Sequence, residues 1–174
     1  MGFKKEEEFY SLNFNDHIKK VGFVGTWKPK VYNQRQKAIE LLSKKGLIDN
    51  YGRTGPIKCP DILRKYRIML NSNELNSPYA KVFEIIKSGS LLLSPRFNGT
   101  KRLLLDNLYA KYKNDCSNIM KIAKYYLNNE SESKDLINRS EEIVKNYHTH
   151  SKRIIEFKKI LENLYNEDRI EEIW

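Results

Sequence analysis

Side chains able to hold phosphate or read a base edge gather in one stretch of the sequence. Gln34, Arg35, Lys37 and Lys44 fall on or near the face of a predicted helix turned away from Ile39 and Leu42. Arginine and glutamine can read base edges through paired hydrogen bonds. Arg53 stands in the run Gly52-Arg53-Thr54-Gly55, a turn from which it can reach a phosphate or a minor groove. Trp27, Lys28 and Lys30 precede the helix in a loop suited to stacking and phosphate contact. A second basic group, Arg96, Lys101 and Arg102, follows Leu91–Leu93 and Ser94-Pro95. It reads either as a phosphate-facing turn or as the solvated start of another helix.

Combinations that would make a catalyst are weaker. Asp61 with Glu84 and Lys87 approaches the carboxylate–lysine set of metal-dependent nucleases, but the spacing is off by one residue and both parts fall in predicted helices. His148 and His150 are two apart, which on a helix points them to different faces. There is no phosphate-cradling glycine loop, nucleophile elbow or Cys/His metal spacing. Cys59 and Cys116 are the only cysteines and read as reduced core thiols. The expectation is a non-enzyme with no catalytic residue, no metal and no cofactor.

The charge distribution sharpens this. The 174 residues carry a net +10, and residues 19–128 hold 22 basic against 7 acidic side chains, an excess of +15. The flanking segments carry −2 and −3. An A/T-rich coding bias would inflate lysine everywhere, yet acids are scarce only in the middle. Such asymmetry is the footprint of a polyanion-binding surface. No single segment pairs a basic face with a strongly apolar aromatic one, so a membrane partner is not expected. No apolar run is long enough to span a bilayer, and residues 1–18 do not read as a secretory signal, which points to the cytoplasm.

Helices are predicted to position these residues, since no run alternates apolar and polar residues long enough to require a sheet. One or two short helices are expected between Glu6 and Val21, then a loop from Gly22 to Pro29. Asn33 as N-cap, the stripe Ala38, Ile39, Leu42 and the stop at Gly46 define the clearest helix. Others are predicted over 60–70 and 78–87, with Ser94-Pro95 opening another. Leu105, Tyr109, Tyr112, Cys116, Ile119, Ala123 and Tyr126 alternate spacings of four and three, as one helical seam does. After the polar break Asn128–Ser133, a second seam runs from Leu136 through Ser140, Ile143, Tyr147, His150, Ile154, Phe157 and Leu161 to Leu164. Unbroken, residues 132–165 would extend ~50 Å, and the two helices would form an antiparallel hairpin. The seam fits packing within the chain first, with a homodimer through the acidic carboxy-terminal helix as the alternative.

A helix followed by Gly46-Leu47-Ile48 and the Gly/Arg turn at 52–55 resembles the recognition helix and wing of winged helix-turn-helix domains. The resemblance covers residues 16–58, and it implies a double-stranded DNA contact made by residues 31–58. The resulting expectation is a mainly α protein. Residues 1–100 would form a basic, winged-helix-like nucleic-acid-binding part, and residues 101–174 a long helical hairpin. Its function would be non-catalytic nucleic-acid binding, DNA favoured over RNA, as a regulator, a partition or replication factor, or the recognition subunit of a larger complex. The alternative is a small phage-type inhibitor that binds a nucleic-acid enzyme.

Overall fold

The computed structural model describes residues 13–27, 32–55, 57–72 and 80–171, with side chains to residue 165. Lys28 and Lys30 lie outside the described residues, as does the segment 6–12 of the predicted amino-terminal helices. Among the described residues the chain builds five parallel strands: β1 (Ile18–Phe23), β2 (Ile48–Asn50), β3 (Tyr66–Leu70), β4 (Leu91–Pro95) and β5 (Ala110–Tyr112). They form one sheet in the order β2-β1-β3-β4-β5. The helices are α1 (Asn33–Ser43), α2 (Lys58–Leu63), α3 (Ala80–Lys87), α4 (Ile119–Asn128), α5 (Glu130–Tyr147) and α6 (His150–Glu171).

This corrects the mainly α, winged-helix expectation. Parallel strands are covered on both faces, so they read as unbroken apolar runs and show no alternation. All five residues of β3 are buried, and so are all five of β4. Tyr66–Leu70, expected within a helix over 60–70, is the buried strand β3, and the helix there ends at Leu63. Ser94-Pro95 ends a strand and does not begin a helix, and the expected loop at Gly22 is the interior of β1. Gly46 does stop α1, at φ +64°, but Leu47 and Ile48 then feed β2, where a wing was expected.

Two apolar layers hold the sheet. On one face Ala38, Ile39 and Leu42 of α1 and Ile119, Ala123 and Leu127 of α4 pack on Val21, Ile68, Leu91 and Leu93. On the other, Ile62 and Leu63 of α2 and Val82, Phe83, Ile85 and Ile86 of α3 pack on Tyr66, Met69 and Leu92. An eight-residue helix such as α3 has no stability alone. Its four buried side chains, at about 1.5–3 kcal/mol each, hold it in place. Gly22 lets β1 pass close to the second layer. A Cβ there would sit 2.6 Å from the Met69 sulfur and 2.6 Å from the Tyr66 ring. Tyr66 in turn donates to Asp49 Oδ2 at 2.8 Å and shares a 2.6 Å hydrogen bond with Tyr51, and Lys20 Nζ reaches Asp49 Oδ1 at 3.0 Å. These bonds tie the three-residue edge strand β2 to β1 and β3.

Neither helical seam survives intact. Leu105, Tyr109 and Tyr112 lie in the β4–β5 connection and β5, so only the last part of the first seam is helical. The second is cut at His148–Thr149. Its α5 part is used within the chain: α5 places Leu136 and Ile137 in the first layer and Val144 in the second. Ile154, Phe157, Leu161 and Leu164 on α6 are exposed. The cut is pinned by buried His148, whose Nε2 donates to Leu103 O at 2.8 Å while Arg153 Nη2 donates to its Nδ1 at 2.8 Å. At the start of α5, Glu130 accepts from the buried Arg67 guanidinium at 2.5 Å. That guanidinium also lies over the Phe14 ring and beside buried His17.

Two measurements test this packing. Gly22→Ala forces Tyr66 and Met69 to move and should cost about 1–3 kcal/mol by urea unfolding; an unchanged midpoint would contradict the close approach. Burial, and then the charge of Arg67 for His17 and Arg153 for His148, hold both imidazoles below the ordinary histidine range. The unfolded chain therefore binds more protons in the window below about pH 6.5, so stability is full above that pH and falls as acid is added. Unfolding midpoints at neutral and mildly acidic pH should show the fall, and changing His17 and His148 to Gln should reduce it.

Candidate functional site

The order β2-β1-β3-β4-β5 has one place where successive connections run off in opposite directions, between β1 and β3. The loops leaving the carboxyl ends of those two strands therefore part, and a crevice opens between them. Here the crevice measures about 140 Å³. Phe23, Val24 and Gly25 line one wall, Leu70, Asn71 and Ser72 the other, with Arg35 of α1 and Lys81 of α3 contributing charge.

Arg35 is the clamp. Its Nε and Nη2 donate to Ser72 O at 3.0 and 2.8 Å, and Nη1 donates to Thr26 O at 2.5 Å. Its guanidinium also lies 4.1 Å from the Tyr32 ring centre. One side chain thus fixes the β1 loop against the β3 loop and sets the width of the crevice. Asn71 is held by its amide to Leu93 O at 2.8 Å and by Nδ2 to Ser94 Oγ at 3.1 Å. The Ser72 hydroxyl is buried and meets no hydrogen-bond partner among the described residues. Lys81 Nζ lies 2.7 Å from Glu84 and 3.1 Å from Cys59 Sγ. Burial alone would lower the Lys81 ammonium, but the hydrogen bonds and charge of Glu84, helped by Cys59, outweigh it and hold it above the ordinary lysine range. Lys81 therefore keeps its charge at the crevice. Among the described residues, no group of three or more His, Cys, Asp or Glu could hold a metal ion.

The residues singled out in the sequence are only partly assembled here. Arg35 lines the crevice, while Gln34 donates to Asn114 O at 2.5 Å just beyond β5. Lys37 is exposed on the first turns of α1, and Arg53 and Arg96 are exposed just beyond β2 and β4, so all three lie toward the carboxyl ends of the strands. Lys44 caps the far end of α1, at the opposite end of the sheet. Lys101 and Arg102 are exposed in the β4–β5 connection. Asn71, Ser72 and Lys81 carry no sequence signal of their own: each matters only by lying close beyond or beside a buried strand, and the strands show no alternation in the sequence. Of the weighed nuclease set, Asp61 pairs with Arg64 and Glu84 with Lys81.

Sheet order and crevice define a doubly wound α/β domain, the class that binds ligands outside the carboxyl ends of its strands. The chain belongs to the glycosyl transferase-like family, whose model matches residues 13–159. Among solved structures, TarM is similar at 15% identity and TM-score 0.60, covering 94% of this chain and 37% of that one. Anabaena Alr3699/HepE, solved in complex with UDP and glucose, is similar at 12% identity and TM-score 0.57, with coverages of 84% and 40%. The pneumococcal O-GlcNAc transferase GtfA, solved with UDP and GlcNAc, is similar at 15% identity and TM-score 0.53, with coverages of 89% and 38%. These likenesses concern the fold, and the chain spans about two fifths of the length of each structure. No curated protein matches the sequence.

Family membership overturns the expectation of a non-catalytic, winged-helix DNA-binding protein, and with it the expected nucleic-acid partner and the non-enzyme assignment. A basic surface is compatible with many folds, whereas the parallel sheet is specific. The expectation of no membrane-crossing helix holds: no helix among the described residues is long and apolar enough.

The clamp is testable. Arg35→Ala removes three charge-assisted hydrogen bonds and should cost about 2–3 kcal/mol of stability. Arg35→Lys should recover only part of it, because a point ammonium does not bridge two carbonyls as a guanidinium fork does. Urea unfolding of both variants measures this, and full recovery by lysine would contradict the bridging role.

Proposed function

We propose that this chain is the donor-binding part of a glycosyl transferase and holds a nucleoside diphosphate sugar in the crevice between β1 and β3. The observation that carries the reading is the charged Lys81 at that crevice, beside the carboxyl ends of β1 and β3. A diphosphate carries its charge where Lys81, in the first described turn of α3, can neutralise it. Two structurally similar proteins, HepE and GtfA, were solved with UDP and a sugar, which supports the same ligand class here.

The chemistry follows from electrostatics. When an acceptor hydroxyl attacks the sugar's anomeric carbon, the bond to the diphosphate oxygen breaks and negative charge grows on the leaving group. A fixed ammonium against that group stabilises the transition state more than the ground state. Asn71 and Ser72 offer hydrogen-bonding groups on the β3 wall, and Arg35 keeps that wall in register. Glu84 holds the Lys81 ammonium in place, so in this reading it acts as a positioning residue.

Calorimetric titration with UDP, UDP-glucose and GDP tests the reading. Saturable binding is expected for at least one of them, weakened about tenfold or more by Lys81→Met. Absence of binding by all three, or binding indifferent to Lys81→Met, would refute it.

A further inference from the structure

The two apolar layers account for every helix but α6. Its attachment to the body is the joint at His148 and Arg153, and every side chain from Ile154 to Tyr165 is exposed. Half of the fourteen large hydrophobic side chains exposed among the described residues lie on this one helix. Ile154, Phe157, Leu161 and Leu164 are 67%, 61%, 50% and 52% exposed, and Ile160 and Tyr165 stand beside them. At helical spacing these six share one stripe about 140° wide, as broad as the buried face of a packed helix. Exposed apolar residues scattered singly need no explanation. A continuous stripe on a helix ~33 Å long does, because a helix outside a core draws little stability from propensity alone.

The repeat of the stripe selects its occupant. Ile154, Phe157, Leu161 and Leu164 are spaced three, four and three, the knobs of a heptad seam, which fit the holes of another helix with the same repeat. The apolar rows of α1 to α5 are already buried in the two layers, so among the described residues a free matching seam is offered only by α6 of another copy. Charge gives the direction of pairing. Residues 150–160, the first half of α6, hold four basic side chains and one acidic, a net +3. Residues 161–171, the second half, hold four acidic and one basic, a net −3. The sign already changes before residue 166, since Glu162 is the one charged residue of 161–165. This polarity opposes the helix's own dipole, which favours acids at the start and bases at the end, so it does not serve α6 alone. In a parallel pair like would face like. In an antiparallel pair +3 faces −3 twice over, and the two contacts are identical by symmetry. A lipid surface would instead call for a uniformly basic polar face, which α6 lacks.

We propose that α6 pairs antiparallel with α6 of a second copy of this chain, making a homodimer with its two-fold axis near the middle of the helix. Ile154, Phe157, Leu161 and Leu164 of each copy then interleave, and the basic half of one helix lies along the acidic half of the other. The inference stands apart from the donor reading, because no α6 side chain lines the crevice.

Sedimentation velocity of the full chain from about 1 to 500 µM tests it. A concentration-dependent monomer–dimer equilibrium is expected, weakened about tenfold or more by Phe157→Asp and by Leu161→Asp. Both positions are at least half exposed and outside the layers, so the body stays folded, which urea unfolding checks. The double change Lys158→Glu and Lys159→Glu fixes the direction. It turns the first half of α6 from +3 to −1, so an antiparallel pair weakens, whereas a parallel pair would tighten. A chain that stays monomeric throughout, a dimer indifferent to Phe157→Asp and Leu161→Asp, or one tightened by the charge reversal overturns the proposal. Titration of the same variants with UDP should match the parent chain, so failure of the dimer and failure of the donor reading are told apart.

Discussion

A parallel sheet has to be covered on both faces, and this requirement organises the molecule. The crossovers carrying α1, α2 and α3 lay these helices on the faces, and α4, which follows β5, completes the cover. Here α1 and α4 cover one side and α2 and α3 the other. The strands are correspondingly apolar throughout, with Ile68, Leu91 and Leu93 facing the first layer and Met69 and Leu92 the second. Because the crossovers change direction once, between β1 and β3, the same constraint leaves one crevice at the carboxyl ends. The site is therefore a consequence of how the sheet is covered.

What makes the crevice specific is a small number of polar side chains held from behind. Arg35 spans the opening and fixes Thr26 and Ser72. Lys81 keeps its proton although partly buried, because Glu84 faces it. Asn71 is oriented by Ser94 and by the backbone of β4. At the opposite end of the sheet, Arg67 and Glu130 fasten α5.

Part of this was legible in the residues. The helix beginning at Asn33, its apolar stripe and its glycine stop are local features and appear in place, the stop set by the left-handed conformation at Gly46; the expected Asn33 cap does not form, since Asn33 is already the first helical residue after Tyr32 and no side chain caps α1. The strands were not legible. Short, fully buried strands such as Leu91–Pro95 resemble buried helix segments, because periodicity vanishes when both faces are dry. The Leu105–Tyr126 spacing looked helical by coincidence of apolar positions in a loop, a three-residue strand and a helix. Arg35 has a side chain suited to reading base edges, yet its guanidinium is committed to the carbonyls of Thr26 and Ser72, which a sequence does not display.

The sequence alone determined a basic chain whose excess charge lies between residues 19 and 128, without an apolar run long enough to cross a bilayer, and with α1 and its stop in place. Charge, composition and capping are properties of single residues and their near neighbours, so they can be read in one dimension. Tertiary structure alone decided that the middle forms a sheet, that β1 and β3 lie side by side with a crevice at their ends, and that the loops after β1 and β2 share one rim. Each of these depends on residues tens of positions apart, such as Arg35 with Ser72 and Gly25 with Gly52. Such pairings are selected by the burial of whole strands on both faces, a collective property that no local spacing encodes.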